Sequence, residues 1–126
     1  MGYTSEVALI LTREAAQALD EFATRNEEAA RILRFCDLRE KSESSGDELF
    51  LWRYLKWYTG YPEIRFLRGF LLTLKEEDYR FARLGEDETD VEVHGDKSGG
   101  PFSATIRTRL CVKDCSRIVY EYERGR

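Results

Sequence analysis

The sequence predicts an α+β fold in which an antiparallel or mixed sheet of four or more strands carries helices packed on one face. Three observations point there. Several short stretches either alternate apolar with polar residues or run apolar without a break, and they are rich in β-branched and aromatic side chains. Other stretches place apolar residues at helical spacing between charges. The order of these stretches, β-α-(α)-β-β-α-β-(β)-β, is related to the split β-α-β pattern. At 126 residues, 42% of them apolar and 13% aromatic, the chain makes a single domain, 1–126, with one core.

The first strand is Ser5–Thr12 (SEVALILT), whose Val7–Leu11 is the longest unbroken apolar run. Thr12 is placed to cap the helix that follows, on which Ala15, Leu19, Phe22 and Ala23 share a face. Asn26 before EEAARIL marks a second short helix with its own cap and an acidic first turn. Ser44-Ser45-Gly46-Asp47 is a turn signal, so Arg34–Glu43 and Glu48–Tyr58 form a hairpin. In the second arm, alternation puts Leu49, Leu51, Leu55 and Trp57 on the core face, with Arg53 as a polar intruder. Phe50, Trp52, Tyr54, Lys56 and Tyr58 fall on the other face. A helical reading of the same residues also exists, through Leu51, Tyr54, Leu55 and Tyr58, but the aromatic composition after a turn favours strand.

Pro62 fits the first position of a helix lined by Ile64, Leu67, Phe70, Leu71 and Leu74 and ending near Glu77, with Gly69 inside it as a point of close packing. Tyr79–Leu84 alternates loosely, Asp90–His94 makes a short edge strand, and 97–101 is a loop. Phe102–Val112 has the clearest alternation in the chain, and the tail SRIVYEYERGR either adds a strand or frays.

Charge and composition exclude several classes. Twenty basic and 24 acidic residues give a net charge of −4 with the signs interspersed, so global steering toward nucleic acid is not expected. The acidic stretch Glu86–Asp96 reads as a solvated loop or edge. No apolar run reaches the length of a membrane span, and MGYTSEV does not open like a secretory signal or a myristoylation site, since position 6 is Glu6. Three cysteines, Cys36, Cys111 and Cys115, are too few and too odd for a disulfide framework. A cytoplasmic location is expected.

Catalytic and metal signals are weak. The single histidine, His94, would need the fold to bring Cys111 or Cys115 beside it to make a nucleophile pair. No phosphate-cradling, dinucleotide or serine-hydrolase motif is present. Cys111 and Cys115 with Cys36 and His94 make a scattered zinc set, and the acidic stretch fails the calcium-loop spacing. The expectation is therefore a protein that is not an enzyme, with no catalytic residues, cofactor or metal.

Three stretches resemble a known group of proteins. MGYTSEV followed by an apolar strand, LFLWRYLKWYTGYPEI with its KWY-x-x-YP, and LGED at Leu84–Asp87 are similar to recurring stretches of an uncharacterised family of small phage- and prophage-encoded proteins. The resemblance implies a phage or prophage origin and carries no catalytic motif or assigned activity.

What remains is binding. Trp52, Tyr54, Lys56 and Tyr58, with Arg107 and Arg109 from a later strand, have the composition of an interaction surface if their sheet face is uncovered. The expected function is protein–protein interaction, with a host or phage protein or a second copy as partner. The alternative is single-stranded nucleic-acid binding by the same aromatic and basic row. Against both stands the plainer reading that these aromatics belong to the core.

Overall fold

The computed structural model describes residues 2–87, 89–97, 102–106 and 118–122, the last two segments as backbone strands. The apolar run at the start becomes the middle of the fold. Strand β1 (Ser5–Leu11) is buried along its whole length and pairs antiparallel on both sides, with β3 (Glu48–Leu55) and with β4 (Tyr79–Gly85). Beyond β3 lies β2 (Leu38–Lys41), and beyond β4 lies β5 (Val91–His94), giving the antiparallel order β2-β3-β1-β4-β5. Two further strands, β6 (Phe102–Ile106) and β7 (Ile118–Tyr122), pair with each other as a separate sheet. With its helices, the chain is α+β and follows the split β-α-β order.

Local chemistry explains most element boundaries. Helix α1 (Arg13–Arg25) begins where the Thr12 hydroxyl accepts the Ala15 N–H, and α2 (Glu27–Arg34) where the Asn26 side-chain oxygen accepts the Ala29 N–H at 3.1 Å. Pro62 opens α3 (Pro62–Leu72), a position where its missing N–H costs nothing. The β2–β3 turn closes through the Ser42 carbonyl and the Gly46 N–H, with Gly46 at φ 83°, a conformation glycine adopts without penalty. Two boundaries differ from expectation. Strand β2 is short because α2 runs on to Arg34, and α3 stops at Leu72, where the Thr73 hydroxyl donates back to the Phe70 carbonyl at 2.6 Å. Glu76–Asp78 is a separate 3-10 turn.

The sheet separates two apolar clusters. Val7, Leu9 and Leu11 on β1, Phe50 and Trp52 on β3 and Phe81 on β4 pack with Ala16 and Leu19 of α1, Ile32 of α2, and Ile64, Leu67 and Phe70 of α3. Ala8, Ile10, Leu49, Leu51 and Leu84, which alternate with them, form the second cluster and are also buried. An open second sheet face is thus corrected. The β6 backbone lies close to β4 and β1, and that of β7 close to β1.

The alternation expected along β3 is corrected too. Ser5 pairs with Leu55 and Val7 with Trp52, so two steps along β1 meet three along β3. The extra residue is a β-bulge at Arg53–Tyr54, and it reverses which face each later side chain takes. Leu55 and Trp57 therefore join Phe50 and Trp52 in the helix-side cluster, while Leu49 and Leu51 sit in the other. Gly69 also departs from expectation, because a methyl group added there would meet open space. Among the described residues, no helix is long and apolar enough to cross a membrane.

Candidate functional site

The bulge decides what β3 presents to solvent. Trp52 is 1% exposed, lies parallel to the Phe50 ring at 6.1 Å, and donates its indole N–H to the Ile32 carbonyl at 2.9 Å. It belongs to the core, which corrects its expected place on an exposed aromatic row. Tyr54, pushed outward as a bulge residue, is 78% exposed, and Lys56 beyond it is exposed as well. Tyr58 is half-buried, with its hydroxyl accepting the Tyr3 N–H at 2.7 Å and its ring edge against Tyr61 at 5.1 Å. Arg107 and Arg109 lie outside the described residues.

Tyr54 and Lys56 line a groove of about 460 Å³ that takes in three element ends. Phe35 and Asp37 come from the exit of α2, Tyr54, Leu55 and Lys56 from the end of β3, and Tyr61 and Glu63 from the entry to α3. Position explains exposure in each case. Phe35 is the residue at the C-cap of α2 and Tyr61 the residue at the N-cap of α3, so neither lies on the inward stripe of its helix. Phe35 is 47% exposed and Tyr61 38%. The floor is the buried side of Leu55.

The charges at this groove are mixed. Asp37 accepts the Arg53 backbone N–H at 2.7 Å, which fixes the bulge to the loop after α2. Glu63, nearly buried, pairs with Arg31 across a 3.4 Å gap and ties α2 to α3. Lys56 supplies the cation. A groove with this lining can receive an apolar or aromatic side chain between rings and orient its polar neighbours.

A second polar cluster joins the first residues of the chain, the segment after β3 and the turn between β4 and β5. The Tyr3 N–H meets Tyr58, the Tyr3 hydroxyl donates to Asp90 at 2.9 Å and accepts the Asp87 N–H at 2.9 Å, and Thr4 donates its N–H to Glu86 at 2.7 Å. Beside it Arg83, from the helix-side face of β4, donates to both Asp90 oxygens, to Glu92 at 2.8 Å and to Ser5 at 3.0 Å. Hydrogen bonding from Arg83 holds the Asp90 carboxyl below its usual range. Burial alone would raise Glu92, but hydrogen bonds from Arg83 and His94 outweigh it and hold that group down as well. The cluster ties the first residues of the chain to the turn between β4 and β5, and its groups are spent on one another.

His94 sits with Nε2 3.1 Å from Glu92 and its ring stacked on Phe81. Cys36 donates to the Leu38 and Leu51 carbonyls, and burial pushes its thiol pKa up, which disfavours the thiolate a nucleophile needs. Cys111 and Cys115 lie outside the described residues. Among the described residues, no group of three or more His, Cys, Asp or Glu side chains is placed to hold a metal ion.

Phe35 and Tyr61 were not singled out from the sequence. The signal was an aromatic residue directly after the end of one helix and directly before the proline of another. Comparison of the chain with protein-family models, with curated proteins and with solved structures finds no match.

Proposed function

We propose that this is a small non-enzymatic protein of phage or prophage type that acts by binding another protein through the Tyr54 groove. The observation that carries this is the gathering of three exposed aromatic rings, Phe35, Tyr54 and Tyr61, around one concavity beside Lys56. Exposed aromatics flanking a pocket are what protein interfaces use as anchors, because each ring removes a large area from water for few frozen torsions. Mixed charge at the rim suits a protein partner. Two carboxylates, Asp37 and Glu63, disfavour a phosphate backbone, and with Trp52 in the core the stacking row for single-stranded nucleic acid is reduced.

The test is a pull-down from host lysate, with and without nuclease, using the wild type and a Phe35→Ala/Tyr54→Ala double variant. A protein captured by the wild type after nuclease treatment and lost in the folded double variant supports the reading. Capture of RNA or DNA that weakens as salt rises would replace it with the nucleic-acid alternative. Equal capture by both proteins would remove the groove from the account.

A further inference from the structure

A second cavity, of about 110 Å³, lies between α3 and the end of β5 and shares no lining residue with the Tyr54 groove. Trp57, Leu71 and Phe81 give it apolar walls, and Arg68, Glu92 and His94 give it a polar side. The donors on these walls are unevenly served. Glu92 accepts from Arg83 at 2.8 Å with one oxygen and shares the other between His94 at 3.1 Å and Arg68 at 3.4 Å. Its single charge is thus engaged by the short contact to Arg83. Among the described residues, Arg68, whose side chain is 47% exposed, has one long contact for a guanidinium that carries five N–H donors. Trp57, itself buried, has its indole N–H buried with no acceptor among the described residues.

We propose that this cavity is a binding site for a small apolar carboxylate, with its hydrocarbon part against Trp57, Leu71 and Phe81 and its carboxylate on Arg68. Size limits the hydrocarbon part. An apolar cavity of about 150 Å³ holds benzene, so this smaller one encloses a branched aliphatic group and takes a ring only partway, toward the mouth at the exposed Leu72. Charge selects the head group. The planar fork of a guanidinium matches a carboxylate with two parallel hydrogen bonds. A dianion such as a phosphate monoester would bring a second negative charge beside Glu92, with no second arginine or lysine among the lining residues to meet it. A neutral ligand would offer Arg68 only an uncharged acceptor, a weaker partner than a carboxylate.

The experiment is a titration of the whole protein with 4-methylpentanoate and with phenylacetate, followed by proton–nitrogen NMR, with the two corresponding primary amides as uncharged controls. The expected result is saturable shifts at the Trp57 indole N–H and at the Arg68–Leu72 and His94 amides. Affinity should be about tenfold or more weaker for the amides and for the Arg68→Met variant, as expected when a charged hydrogen-bonded pair is removed. Tyr54→Ala should bind the carboxylates normally, so failure of this site and failure of the interaction groove are read separately. Absence of saturable shifts up to about 10 mM carboxylate would overturn the proposal. So would equal affinity for acid and amide in the wild type, a comparison that depends on no variant being folded.

Discussion

Trp52 and Leu55 lie three residues apart on one strand and point to the same side of the sheet, into the same apolar cluster. In a regular strand, residues three apart face opposite ways. The bulge at Arg53–Tyr54 reconciles them, and in doing so it separates Trp52, now in the core, from Tyr54, now in solvent. Truncating the two should have very different consequences. Trp52→Ala removes a fully buried ring and its hydrogen bond to Ile32, and should cost about 3–5 kcal/mol of stability. Tyr54→Ala should change stability by no more than about 0.5 kcal/mol. Denaturant melts of the two variants measure both, and comparable losses would contradict the bulge.

Gly69 offers a stabilising substitution. It lies inside α3 on the exposed side, and an added methyl group meets no atom within 4 Å. Gly69→Ala should therefore raise stability by about 0.5–1 kcal/mol, the helix-propensity difference between the two residues. Thermal or urea unfolding checks it; a loss of stability would mean that this face of α3 is covered.

Acid should loosen the β4–β5 edge first. Asp90 and Glu92 both titrate lower in the folded protein than carboxylates usually do, chiefly through Arg83 hydrogen bonds in the first case and in spite of burial in the second. A carboxylate whose folded pKa is depressed adds stability above its unfolded pKa and loses that contribution as pH falls through the folded value. The contribution should thus be complete above about pH 5 and drain away below about pH 4. Amide hydrogen exchange in Val91–His94, corrected for intrinsic rates, should show protection falling over that range. In Arg83→Met, protection should already be low at neutral pH and should change little with acid.

Cys36 should be slow to react. Its thiol is half-buried, donates to two carbonyls, and is pushed toward the neutral form by burial. In a Cys111→Ser/Cys115→Ser background, labelling of Cys36 by a thiol-disulfide reagent near neutral pH should be at least about tenfold slower in the native than in the denatured protein. Equal rates would place Cys36 at the surface.

The kinds and order of elements were legible in the sequence because they rest on short-range chemistry. The Thr12 and Asn26 caps, the Pro62 helix start, the Ser44–Asp47 turn and the apolar β1 run each declare themselves within a few residues, and each is where the structure has it. Which side of β3 faces inward was not legible by alternation alone. A strand's facing is set by its partner, and β1 sets one of its own residues, Glu6, against two of β3, Arg53 and Tyr54. The polar Arg53 in an otherwise apolar row was the trace of that bulge, but only pairing with β1 gives it this meaning. The tertiary structure likewise decided the candidate sites. Phe35, Tyr54 and Tyr61 become neighbours because three element ends meet, and Trp57, Arg68 and Glu92 because α3 packs beside β5. Proximity between residues far apart in the chain is a property of packing, and no local pattern encodes it.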